Sequence, residues 1–139
     1  MSRRTVALLF FGVIALAELG DLAGLVITLG DPATAAAMLG ITPRAETIRA
    51  IILLVLAVVI VLNALIALAG VLARQALLVQ FGAFMAAAGL GIYGLYQIGS
   101  ALLQHGQLVY AGVGVIYLVL GRLALWLARS PAAIAAKKT

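Results

Sequence analysis

Apolar residues fill long runs over 5–29, 51–73, 76–103 and 108–128, divided by short polar stretches. Each run is long enough for an α-helix to cross the hydrocarbon core, which takes about 20 residues. Inside lipid, backbone N–H and C=O groups must be paired within the segment, so continuous apolar runs of this length form helices. The pattern predicts an all-α integral membrane protein, an antiparallel bundle of four transmembrane helices.

Between residues 31 and 49 the pattern breaks. Asp31-Pro32 and Thr42-Pro43 each put a capping side chain before a proline suited to a first helical turn. They predict a short interfacial helix over 32–39 between the first and second spans, closed by Gly40, and a second span that starts near Pro43. Arg74-Gln75 is a minimal turn and Gln104-His105-Gly106-Gln107 a polar one, so neighbouring spans run antiparallel. Residues 129–139 read as a short cytoplasmic tail, and 1–139 as a single domain with no room for a soluble one. Ala15-Leu16-Ala17 has the form of a signal-peptide cleavage site. Apolar sequence resumes after Asp21, however, so the first run is read as a retained helix.

Composition agrees with this solvent. Hydrophobic residues make up 66% and charged residues 9% of the 139, and the mean hydropathy is +1.28, whereas a soluble domain carries about 25% charged residues. A net charge of +5 and a pI near 10.3 would point to nucleic acid in a soluble chain. Here the cations flank the apolar runs, so the expected partner is the headgroup layer of a lipid bilayer and no nucleic acid. Arg3, Arg4, Arg74, Arg129, Lys137 and Lys138 fall on one side and only Arg44 and Arg49 on the other. That bias predicts a multi-pass cell-membrane protein with both termini cytoplasmic, and Tyr110 and Trp126 suit interfacial anchors of the last span.

Candidate chemistry is sparse. There is no cysteine, and His105 is the single histidine, which excludes disulfides, thiolate metal sites and haem held by two histidines. Two intramembrane carboxyls without histidine or cysteine are a poor ligand set for zinc or iron. No phosphate-binding glycine spacing or nucleophile–base pattern is present. No catalytic, metal or cofactor-binding residue and no cofactor is expected.

What remains are polar residues inside the runs. An ionisable one costs about 2.5 to 3.5 kcal/mol on insertion scales, so it normally faces a bundle interior, a pore or a partner. Glu18, Asn63 and Tyr117 lie near the middles of their spans and can share one layer. Asp21 is one turn further out. Tyr93, Tyr96, Gln97 and Ser100 follow the i, i+3, i+4, i+7 spacing of one helix face. Together they predict an intramembrane polar cluster opening in the outer leaflet. Arg122 has two readings: side chains lean toward the helix N-terminus, which brings it toward Glu18, or it snorkels to the cytoplasmic headgroups. Gly20-x-x-x-Gly24, Gly82-x-x-x-Ala86, Ala64, Ala67, Gly70, Gly91 and Gly94 predict close helix contacts, within the chain or between copies.

Three functions fit. The first is a small non-catalytic subunit that scaffolds, stabilises or assembles a larger membrane complex, with other membrane subunits or copies of itself as partners. The second is an oligomeric proton- or cation-coupled transporter or channel using Glu18 or Asp21. The third is a quinone- or lipid-binding protein that takes its lipophilic ligand on Tyr93, Tyr96, Gln97 and Asp21. In topology alone, four spans with a short outer segment after the first, the layout resembles DoxX-like small membrane proteins; no motif residue carries over.

Overall fold

The computed structural model describes residues 1 to 136; Lys137 and Lys138, counted above with the tail, lie outside them. Helix α1 runs over Arg3–Gly30, α2 over Pro32–Leu39, α3 over Pro43–Ala73 and α4 over Ala76–Ser100. A π-helical turn, Ala101–His105, ends α4, and α5 (Leu108–Ala128) and α6 (Pro131–Ala135) complete the chain. Four of these helices are long and apolar enough to cross a membrane.

The helix starts are chemically explicit. Ser2, Asp31 and Thr42 each accept a hydrogen bond through the side chain from the backbone N–H three residues on, and Pro32 and Pro43 occupy first turns. Such a cap contributes about 1 kcal/mol. Gly40 ends α2 at φ 70°, a left-handed conformation that glycine adopts without strain.

Buried positions on α1, α3 and α4 recur in alternating steps of three and four residues, and on α5 in steps of seven, three and four. On α1 they are Ala7, Phe11, Ile14 and Glu18; on α3 Ala50, Leu53, Ala57, Ile60, Ala64, Ala67 and Val71. On α4 they are Val79, Ala83, Ala86, Leu90, Tyr93, Gln97 and Ser100, and on α5 Gly114, Gly121, Ala124 and Ala128. A mean spacing of 3.5 keeps a seam facing its neighbour along the whole helix and favours shallow, left-handed crossings. Lipid tails are as apolar as leucine, so contact in the membrane comes from close approach, and the small seam residues permit it. The tightest crossings are those of Gly82 against the α3 backbone at Asn63 and Ala67, and of Gly94 against Gly114. Gly20 and Gly24 meet no other part of the chain, so their spacing makes no internal contact.

The spans pack in sequence order. α1 lies on α3, α3 on α4 and α4 on α5, while the backbones of α1 and α5 approach far less closely. α2 covers one end of α3, and this end, shared with the α4–α5 connection, is termed the α2 end. At the opposite, terminal end the segment after Arg129 is not a loose tail. Ser130 and Pro131 start α6, which buries Ile134 fully. Arg3 donates to Ser130 Oγ (2.7 Å), and Arg74 donates to the Ala136 carbonyl (2.6 Å). The Arg3 guanidinium also sits 5.4 Å from the centroid of the Trp126 ring.

Candidate functional site

On α1 and α4 the buried polar residues run from the Glu18 layer toward the α2 end, while on α3 Asn63 lies nearer the terminal end. At mid-span the Tyr117 hydroxyl donates to Glu18 Oε1 (2.5 Å) and the Tyr93 hydroxyl donates to Asp21 Oδ2 (2.6 Å). The two tyrosine rings stack with centroids 4.1 Å apart and 11° between planes. Carboxyls one turn apart on α1 are thus each held by a phenol from a different helix, Glu18 from α5 and Asp21 from α4. The arrangement answers a physical demand, because a carboxyl removed from water needs a donor, and tyrosine supplies one at the tip of an apolar ring. Glu18 is 2% exposed, and its Oε2 has no hydrogen-bond partner.

One layer closer to the α2 end is an ion pair. Arg49 lies 3.3 Å from Glu46 Oε1 and donates through Nη2 to Gln97 Oε1 (2.9 Å). Its guanidinium lies 5.3 Å from the centroid of Tyr110, and both members of the pair are buried. Glu46 Oε2, Arg49 Nε and Ser100 Oγ are buried without a hydrogen-bond partner. α3 has 31 residues and so extends about 46 Å at 1.5 Å per residue, longer than the hydrocarbon is thick. Glu46 and Arg49 lie in its first two turns and are still inside the bundle.

Between these layers opens a cavity of about 470 Å³, walled by α1 to α5. Asp21, Glu46, Arg49, Tyr93, Gln97, Gln107 and Tyr110 supply its polar surface; Gly24, Leu25, Ala35, Met38, Leu39 and Leu53 supply the apolar one. The π turn ends at Gly106 (φ 64°), and the chain then doubles back to set Gln107 and Tyr110 over the cavity. π turns of this kind occur often at functional sites. His105 is half-buried: its Nδ1 accepts from the Gln107 N–H (3.1 Å) and its ring meets the Tyr110 ring edge-on.

Of the eight residues expected to cluster, Glu18, Asp21, Tyr93, Gln97 and Tyr117 come together. Asn63 does not join them, because its Nδ2 donates to the Val59 carbonyl of its own helix (2.8 Å). Tyr96 is turned aside into a shallow groove with Leu95, Gly99 and Leu103. Arg122 makes no pair with Glu18: five residues, about 140° around the helix, separate it from the inward-facing Tyr117, and it is exposed. Among the described residues the single ion pair is Glu46–Arg49. Sequence reasoning missed both of its members by counting Arg49 as a solvated flank. The available signal was phase, since Glu46 stands seven residues before Leu53 and fourteen before Ile60, on the same seam. Set against family models, curated protein sequences and solved structures, the chain matches none of them.

Proposed function

We propose that this chain is a membrane protein that binds a lipophilic small molecule in the cavity at the α2 end. The observation that carries this reading is the cavity itself, in which an apolar wall faces a set of convergent polar groups, with a volume inside the roughly 300 to 1,000 Å³ of ligand sites. A purely scaffolding subunit has no need of such a space. Charge narrows the ligand: Glu46 and Arg49 neutralise one another and Asp21 adds a carboxylate, so an anionic headgroup is disfavoured. A neutral ring with hydrogen-bonding oxygens, as in a quinone, fits Gln97, Gln107 and the aromatic wall of Tyr93 and Tyr110. Conduction through the bundle is less well supported, because below Glu18 the α1 seam continues as Ile14, Phe11 and Ala7.

Gly24 provides a clean test. It lines the cavity, and a Cβ built on it meets nothing within 4 Å, so Gly24→Phe fills the site without disturbing helix packing. A short-chain ubiquinone is expected to raise the unfolding temperature of the native protein in a concentration-dependent way, as ligand linkage requires, and to leave Gly24→Phe unmoved. Equal shifts in both proteins would remove the cavity as the site, and no shift in either would remove quinones as the ligand. Native mass spectrometry of the same sample would detect co-purifying subunits, the outcome a scaffold gives.

The reading includes an orientation. With Arg49 inside the bundle, Arg44 is the one remaining flank cation at the α2 end among the described residues, a charge bias that supports a cytoplasmic terminal end. A cysteine placed at Gln104 should react with an impermeant maleimide added outside cells, and one at Gln75 should not. Reaction at Gln75 instead would invert the assignment.

A further inference from the structure

A second groove lies on the opposite half of the protein, between α4 and α5 at the terminal end, with a volume of about 520 Å³. Phe84, Ala88 and Gly91 form one wall, and Arg122 and Arg129 stand on the other. The two arginines are seven residues apart, two helical turns, and therefore point the same way from α5, about 10 Å apart along its axis. Both are exposed, and neither has a hydrogen-bond or ion-pair partner among the described residues.

Arg122 lies well within a membrane span, where a cation needs a counter-charge. The chain has four acidic residues, and none can serve. Asp21 and Glu46 line the α2-end cavity, Asp31 caps α2, and Glu18 faces inward, bound to Tyr117. A parallel second copy would bring no carboxylate to this level either. With no side-chain carboxylate of this chain or of a parallel copy at hand, the anionic lipids of the bilayer are the nearest source of a counter-charge.

We propose that this groove binds an anionic glycerophospholipid, whose acyl chain lies along Phe84, Ala88 and Gly91 and whose phosphate is held by Arg122 and Arg129. The small residues Ala87, Ala88, Gly91 and Gly121 leave the depth that a chain requires, and the arginines reach from mid-leaflet toward the headgroups, so one lipid can satisfy both wall and cations. The site is independent of the cavity at the α2 end.

Trp126 is the only tryptophan, is exposed, and stands on α5 between the two arginines in sequence, beside the groove and not in its lining, which makes it a built-in reporter of lipid nearby. The intact protein is reconstituted in phosphatidylcholine vesicles that contain, at equal mole fraction, either dibrominated phosphatidylglycerol or dibrominated phosphatidylcholine. Brominated phosphatidylglycerol should quench Trp126 more strongly. Arg122→Gln should lower the apparent preference about fivefold and Arg129→Gln should do so again, the worth of one surface cation each. Arg122→Lys should retain most of it, and Arg44→Gln, at the other end, all of it. Arg3, which stacks on the reporter, is kept throughout. Equal quenching by the two lipids, or a preference that survives loss of both arginines, would overturn the proposal. So would strong protection of Trp126 from both lipids, which would mean that another protein surface covers the groove.

Discussion

Replacing Arg49 with methionine is expected to lower the unfolding free energy by about 3 to 5 kcal/mol. The cause is what the substitution leaves behind. Glu46 would keep a buried carboxylate whose cation has gone, with Oε2 already unpartnered, and Gln97 would lose the donor to its Oε1. The companion variant Glu46→Leu/Arg49→Met removes both charges and should recover most of the loss, since a buried pair is costly to break and cheap to replace as a whole. Reversible unfolding in mixed detergent micelles measures both. Native stability in Arg49→Met would mean that water reaches Glu46 through the cavity and supports it there.

Gly82→Ala is the second large effect, a loss of about 3 kcal/mol, the upper part of the usual overpacking range. The added methyl would meet the amide and Cα of Ala67 and the carbonyl of Asn63, all backbone atoms, within 3 Å. A backbone cannot rotate away as a side chain does, so the α3–α4 crossing itself would have to open. Gly20→Ala supplies the contrast. Its Cβ would meet nothing within 4 Å, and an alanine in mid-helix should gain about 0.5 to 1 kcal/mol over glycine. Equal responses at the two positions would show that helix propensity, not the crossing, governs stability.

These residues also mark what could be read in the sequence and what could not. The four spans were readable because lipid enforces length and continuity, and the two helix starts because an Asp or Thr before proline has few other uses. Glu18, Asp21, Tyr93 and Tyr117 were readable by depth, since a polar group in a membrane must find another at its own level. Depth says nothing about angle, which is why pairing with Glu18 and snorkelling both stood open for Arg122, which projects from the far side of α5. Asn63 was misplaced for a different reason: an amide can satisfy itself on the carbonyl one turn back. Arg49 was hidden because α3 outruns the hydrocarbon, and charge near a span's end looks like a flank whichever way it faces. The fold of α6 onto the bundle buries only Ile134 and Ala135 of a five-residue helix, too little periodicity to detect.

The order in which the spans pack has a consequence for biogenesis. Because α1 meets α3, α3 meets α4 and α4 meets α5, each span after the first finds its docking surface already in the membrane when it leaves the ribosome. Two bonds in the core reach past this order, Tyr93 to Asp21 and Tyr117 to Glu18, whose partners are 72 and 99 positions apart. Until α5 arrives, Glu18 has no phenol, and the nascent protein holds an uncapped carboxyl in mid-bilayer. Synthesis of the last span is thus the event that closes the bundle, and chains truncated before Tyr117 would present a membrane quality-control protease with an acidic residue exposed in the lipid.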